Sequence, residues 1–286
     1  MGTIGLLPEG NYANCANGYK IHYLDEGQGD VVVFLHGSGP GASGHSNFKG
    51  NYPFLVEAGY RCIVPDHIGY GFSDKPDDVD HPLSFFVECI KQTLDCAGVN
   101  KCTLVGNSLG GAVAFGLALE YPELVEKLIL MAPGGLSELP EYQAMPGMQK
   151  VFKVFGSGEP VTAAVMKDLF ATGLMFDPSH ATDELVEERM QIMQIMNGHV
   201  MATMQVPNLV DQLHKIECPC LGVGGMDEQM MPESGLVKVV KAIPRWRTGL
   251  VNECGRWGGG ERGGGVDGAG GGGGGRGGAG GWGGGG

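Results

Sequence analysis

Residues 102–114 read Cys-Thr-Leu-Val-Gly-Asn-Ser-Leu-Gly-Gly-Ala-Val-Ala, and this stretch decides the fold. A short apolar run of strand character, Cys102 to Val105, enters a turn where Ser108 stands between Gly106 and Gly110. A run of small residues of helical character leaves it. Glycines two positions either side of the serine remove the side chains that would block a sharp strand-to-helix turn, so the hydroxyl is presented at the rim of a sheet. This is the chain's only G-x-S-x-G, and it marks Ser108 as the candidate nucleophile.

Outward from that turn, short apolar runs alternate with longer helical patterns. Strands are expected at Tyr19 to Leu24, Val31 to Leu35, Tyr60 to Val64, Cys102 to Val105, Lys127 to Met131 and Cys218 to Val223. Helices are expected at Ser46 to Ala58, Leu83 to Ala97, Leu109 to Glu120 and Glu233 to Ala242. The alternation predicts an α/β protein with a mostly parallel sheet flanked by helices, and ligands bind such sheets at the carboxyl ends of the strands. Between Pro133 and about Val206 strands vanish and nine of the 14 methionines appear, at 145, 148, 166, 175, 190, 193, 196, 201 and 204. That segment predicts an inserted helical lid suited to an apolar or aromatic substrate, although Met190, Met193 and Met196 also fit one buried helix face.

Composition narrows the function. The chain has 286 residues and 53 glycines, 21 of which fall in residues 258–286, so a domain carries an appendage. Hydrophobic residues make up 42% and charged residues 18%, which disfavours global disorder. A formal net charge of -13 repels phosphate backbones and excludes nucleic acid as the natural partner. No apolar run reaches 18 residues and the first positive charge is Lys20, so no membrane partner is expected and the cytoplasm is the expected location. Eight cysteines without a C-x-x-C pair predict reduced core thiols and no metal site.

A second glycine cluster, His36-Gly37-Ser38-Gly39-Pro40-Gly41-Ala42-Ser43-Gly44, permits two readings. Gly39, Gly41 and Gly44 have the spacing of a dinucleotide loop, with Asp66 closing the next strand, which would make the protein an oxidoreductase. Alternatively, the loop supplies backbone N–H groups to an oxyanion hole, and this reading is favoured because Pro40 lacks a donor that a phosphate cradle would use. A serine nucleophile needs a base and a carboxylate, in chain order Ser, Asp or Glu, then His. Asp227 is placed for the carboxylate, with Glu228 in reserve. None of the eight histidines (22, 36, 45, 67, 81, 180, 199 and 214) follows it.

The segments HGSGPGASGHSNF (36–48), GNSLGGAVA (106–114), LEYPELVEKLILMAPGGL (119–136) and CGRW (254–257) resemble the meta-cleavage product hydrolases of the α/β-hydrolase superfamily. The likeness spans about residues 8–257. It implies the α/β-hydrolase fold and hydrolysis of a carbon–carbon bond in a 2-hydroxy-6-oxo-dienoate derived from aromatic rings. It also implies a small-molecule substrate, no cofactor, and a homodimer or larger assembly. By matching motif, Ser108 is the nucleophile and Asp227 the triad acid, while the N–H groups of Ser38 and Leu109 form the oxyanion hole. Asn47, Asn107, Arg189 and Trp257 fall at or near polar substrate contacts. The family's CGHW reads CGRW here, so Arg256 occupies the position of the base. A guanidinium cannot take the serine proton near neutrality, and Arg256 is expected to pair with Asp227 instead. The chain as written is therefore expected to be impaired, and a catalytically inactive small-molecule-binding homologue is the alternative.

The expected organisation is core residues 1–134, lid 135–206, core 207–257 and a disordered Gly-rich tail 258–286. From Gly255 onward only residue types that guanine-rich codons encode occur. A misread gene end accounts for this better than a genuine flexible tail spanning about 30 Å.

Overall fold

The computed structural model describes residues 9–251. Ten strands are described: β1 (Asn11–Asn14), β2 (Lys20–Gly27), β3 (Val31–Leu35), β4 (Arg61–Pro65), β5 (His81–Pro82), β6 (Cys102–Asn107), β7 (Val125–Met131), β8 (Met204–Gln205), β9 (Cys220–Gly225) and β10 (Trp246–Val251). Eight of them form one sheet in the order β1-β2-β4-β3-β6-β7-β9-β10. The pairs β1·β2 and β2·β4 are antiparallel, and the remaining pairs are parallel. A parallel sheet needs both faces covered. One face carries α3 (Leu83–Cys96) and α4 (Leu109–Glu120), with α10 (Glu233–Ala242) and the 3-10 turn Val210–Lys215 beside them. The opposite face packs Phe34, Phe48, Tyr52, Val64 and Met131 under the short helices α1 (Gly44–Phe48) and α2 (Tyr52–Glu57).

The central strands read as continuous apolar runs because both of their sides are buried. Val31–Leu35 is the example: Val33 and Leu35 face one core, Val32 and Phe34 the other. Helix α4 is apolar all round and buried along nearly its whole length, as befits a helix sandwiched between the sheet and its neighbours.

The single helix expected over Ser46 to Ala58 is two. Helix α1 starts on a reciprocal cap between Ser43 and Ser46, and α2 restarts after Asn51 with Pro53 in its first turn. Gly50 and Asn51 break the run between them. The segment between β7 and β9 holds α5 (Leu139–Gln143), α6 (Pro146–Phe155), α7 (Ala163–Gly173), α8 (Asp183–Met193) and α9 (His199–Thr203). It is not strand-free, because Met204 and Gln205 pair in parallel with His81 and Pro82. Met190 and Met193 pack on this segment's own cluster of Met166, Phe170, Met175 and Val186, whereas Met196 packs on the main core. The three methionines thus behave as packing residues.

Three glycines allow the turn after β6 to sit against its neighbours. A Cβ on Gly110 would enter the Leu35 carbonyl, one on Gly111 would lie 2.6 Å from Pro133 Cβ, and one on Gly106 would lie 2.6 Å from the Gly110 carbonyl. Gly110→Ala is expected to destabilise the protein by more than about 2 kcal/mol. Gly50→Ala, where a Cβ meets nothing within 4 Å, is expected to change stability by less than about 0.5 kcal/mol. Urea unfolding midpoints check both.

Candidate active site

Ser108 follows β6 with φ 54 and ψ -113, a region that side-chain-bearing residues seldom occupy. Its backbone is held on both sides. The N–H donates to the Met131 carbonyl at 3.1 Å, and its own carbonyl accepts from Gly134 at 2.8 Å, Gly111 at 2.9 Å and Ala112 at 3.1 Å. Leu109 opens α4, and the N–H of a first helical residue has no intrahelical acceptor, so it is available to a ligand.

The loop after β3 closes over this turn. A Cβ on Gly37 would lie 3.3 Å from Ser108 Cβ and 3.5 Å from Asn107 Nδ2, so the Gly37–Ser38 peptide lies against the serine. Asn47 engages the loop at both ends: its Oδ1 accepts from Gly37 N–H at 3.3 Å and its Nδ2 donates to the Ser43 carbonyl at 3.1 Å. Asn107 is buried at the end of β6, and its Oδ1 has no hydrogen-bond partner among the described residues.

Beneath the loop lies a buried polar cluster. His36 Nε2 accepts the His67 N–H at 2.9 Å, which puts the ring proton on Nδ1, where it donates to the Gly37 carbonyl at 2.8 Å. In a trans peptide the C=O and the next N–H point in opposite directions. Drawing the Gly37 carbonyl toward the imidazole therefore turns the Ser38 N–H the other way. His67 Nε2–H donates in turn to the His36 carbonyl at 3.0 Å. Burial holds His36 down to about 4 and His67 well below its ordinary value, so both rings are neutral. Asp66 accepts from Gly44 N–H at 2.7 Å and Phe72 N–H at 2.8 Å and meets His22 Nδ1 at 2.9 Å. Burial alone would raise its carboxyl pKa, but the His22 contact, the nearby histidines and the Phe72 N–H together hold it below the ordinary carboxylate value.

This arrangement removes the dinucleotide reading of Gly39, Gly41, Gly44 and Asp66. Asp66 is 2% exposed and its oxygens are committed to the protein, so it does not reach a ribose. A Cβ on Gly41 would enter the Arg189 backbone, and one on Gly44 would lie 2.7 Å from the Pro65 carbonyl. These glycines permit packing against protein and do not line a phosphate cradle.

Arg189, buried on α8, donates to the Gly41 carbonyl at 3.2 Å and the Ser46 carbonyl at 3.5 Å, and its Cζ lies 5.7 Å from the Phe170 ring centroid. Desolvation lowers its pKa to about 10, so it stays charged at neutrality. The adjacent Glu188 pairs with Lys49, so two successive residues of α8 tie the helical segment to the loop and to the end of α1. Asp227 lies partly buried just beyond β9. Register carries Asn107 to Met131 and Met131 to Val223, so β6 and β9, two strands apart and on the order of 10 Å between axes, lead to Ser108 and Asp227 at the same sheet edge. Glu228 accepts the Met230 N–H at 2.6 Å. Beside Asp227 opens a cavity of about 510 Å³ walled by Pro133, Tyr142, Met145, Val223, Met226 and Glu228. Arg256 and Trp257 lie outside the described residues.

The loop and the serine turn therefore meet at one sheet edge, the edge from which β9 also leads to Asp227. The sequence reading had no signal for His36 or His67 as loop supports, because their function rests on contacts 31 residues apart.

Comparison with known proteins agrees with this architecture. Residues 30–262 match the family model described as alpha/beta hydrolase fold. The chain is 36% identical over 248 residues to a 2-hydroxy-6-oxo-6-phenylhexa-2,4-dienoate hydrolase of Burkholderia cepacia, covering 84% of this chain and 85% of that protein. It is 35% identical over 249 residues to a 2-hydroxy-6-oxononadienedioate/2-hydroxy-6-oxononatrienedioate hydrolase of Comamonas testosteroni, covering 84% and 85%. The crystal structure of a meta-cleavage product hydrolase from Pseudomonas fluorescens IP01 superposes with a TM-score of 0.79 at 26% identity, covering 90% of this chain and 94% of that one. The fold and site thus define an α/β hydrolase. Within that class the chain belongs to the meta-cleavage product hydrolase family.

The neutral His36 gives a pH signature. Its folded pKa of about 4 lies below its ordinary 6.5, so the unfolded chain binds the proton more tightly. The stabilisation is complete above pH 6.5 and is lost as pH falls toward about 4, amounting to about 3 kcal/mol from this residue. Urea unfolding free energy is expected to fall across that window, and His36→Gln is expected to flatten the slope by roughly one proton.

Proposed function

We propose that the protein hydrolyses a carbon–carbon bond in a 2-hydroxy-6-oxo-dienoate from aromatic ring cleavage, with Ser108 as nucleophile, Asp227 as triad acid and the Ser38 and Leu109 N–H groups as oxyanion hole. The observation that carries this reading is the strained Ser108 backbone packed against the Gly37–Ser38 peptide, in a chain 36% identical to a dienoate hydrolase. The enol substrate ketonises in the pocket, and the serine site then engages the 6-carbonyl. As that carbon becomes tetrahedral its oxygen gains charge, which the two backbone donors stabilise more strongly than they do the ground state. Two smaller acids leave.

The helical segment from α5 to α9 acts as the lid over this site. Asn47 holds the oxyanion loop, while Asn107 offers an amide to the substrate. Arg189 supplies local positive charge for an anionic substrate against the overall field of a chain with net charge -13. The enzyme works in the cytoplasm on a small molecule and assembles as a dimer or larger homo-oligomer.

Arg256 stands where the base is needed, and every histidine precedes Asp227 in the sequence. The chain as written is accordingly a hydrolase with strongly impaired turnover, and a catalytically inactive small-molecule-binding homologue is the alternative. Loss of a triad member costs up to about 10⁶-fold in comparable serine hydrolases. Arg256→His is expected to raise the rate of bleaching of a yellow dienoate by at least about 10³-fold, and Ser108→Ala in that background to remove the gain. A folded Arg256→His protein that binds the dienoate yet shows no gain counts against the triad.

A further inference from the structure

Two buried cysteines outside the candidate site lie against each other. Cys15 sits in the turn joining β1 to β2, and Cys89 on α3, 74 residues on in sequence. Three contacts fix the turn to the helix. The Cys15 thiol lies 3.9 Å from the Cys89 carbonyl, Asn17 Nδ2 lies 3.9 Å from Cys89 Sγ, and the Ala16 N–H donates to Gln92 Oε1 one turn further along. The turn is closed on itself by Cys15 N–H to the Tyr19 carbonyl at 2.8 Å and Gly18 N–H to the Cys15 carbonyl at 2.9 Å. Both sulfurs belong to the same apolar cluster, with Cys15 5% exposed and Cys89 fully enclosed. The Cys62 and Cys102 thiols also face backbone carbonyls, but those of Tyr52 and Leu124, which carry no sulfur. Cys218 and Cys220 also approach each other, but a bond between residues two apart constrains almost no chain.

We infer that Cys15 and Cys89 are a pre-set pair that closes to a disulfide when the protein meets a thiol oxidant of the diazenedicarboxamide or low-molecular-weight disulfide class. Cys15 is the attacking sulfur, since it is the more exposed and the neighbouring Cys89 side chain lowers its pKa. With the diazene, the Cys15 thiolate adds to one nitrogen of the N=N bond. The Cys89 sulfur then attacks Cys15 Sγ, the S–S bond forms as the S–N bond breaks, and the hydrazine departs with two electrons and both thiol protons. The bond ties the edge hairpin to α3, whose Val87 packs against Gly116 of α4 behind Ser108. It closes a long loop in the unfolded chain, which is the condition under which a disulfide stabilises most.

The test is to oxidise the full-length protein under native conditions with the diazene, trap remaining thiols in denaturant, and map tryptic peptides without reduction. The peptide of residues 1–20 is expected to be linked to that of residues 62–91, with fragmentation placing the bond on Cys89. The thermal midpoint is expected to rise by roughly 5 °C or more and to return on reduction. Exposed Cys96 reports that the reagent has acted. Recovery of Cys15 and Cys89 as trapped thiols while Cys96 is consumed overturns the inference. So does a bond to Cys62, or an oxidised protein that melts no higher than the reduced one.

Discussion

The rest of the structure depends on one backbone constraint, the positive φ of Ser108. A serine at φ 54 and ψ -113 is strained by about 1–3 kcal/mol, and it persists only where the surroundings over-determine it. Here they do so through four backbone hydrogen bonds, one from its N–H and three to its carbonyl, which reach β7, the loop after β7 and the first turn of α4. Those partners require close approach, and Gly106, Gly110 and Gly111 provide it where a Cβ on any of them would collide with backbone or Pro133. The G-x-S-x-G pattern is thus the sequence record of a packing problem around one dihedral angle.

The opposing wall is set by neutral histidines. A protonated His36 would turn Nε2 from acceptor into donor toward the His67 N–H, which already donates, so the loop conformation and the uncharged ring require each other. Asp66 complements them from below, taking the Gly44 and Phe72 N–H groups that would otherwise be buried without acceptors. The loop is also gripped from above by Arg189 and Met196, the latter accepting the Gly41 N–H at 3.3 Å. Core and helical insert therefore converge on the same few loop atoms, which explains why the glycines there are so dense.

The parts of this fold that could be read in sequence were those whose signal is local. Val31–Leu35 and Cys102–Asn107 announce themselves as buried strands because both faces are apolar, and the serine turn announces itself through its glycines. β1, with Asn-Tyr-Ala-Asn, and β10, with Trp-Arg-Thr-Gly-Leu-Val, escape notice because edge strands owe their pairing to a neighbour and carry little pattern of their own. The broken helix at Gly50–Asn51 was hidden by an apolar spacing that continues across the break. The dinucleotide spacing of Gly39, Gly41 and Gly44 misleads for a related reason. Glycine is demanded equally by a phosphate and by an approaching backbone, and only the neighbours in space distinguish the two.

An oxyanion loop is only useful if it is already aimed when charge develops, since reorienting dipoles during reaction would consume the stabilisation they give. On the proposed reading the aiming is done by His36, His67, Asp66, Asn47 and Arg189, through contacts that join the loop after β3 to the core and to α8. On that reading, Arg256 in place of the base subtracts proton transfer, a task distinct from aiming the donors. Charge stabilisation and proton transfer are separable contributions, and serine hydrolases stripped of their triad retain roughly 10³ to 10⁴-fold catalysis from the former. On the proposed reading the His36 and His67 contacts that hold the loop carry that remainder, and what proton transfer lacks is an imidazole at position 256.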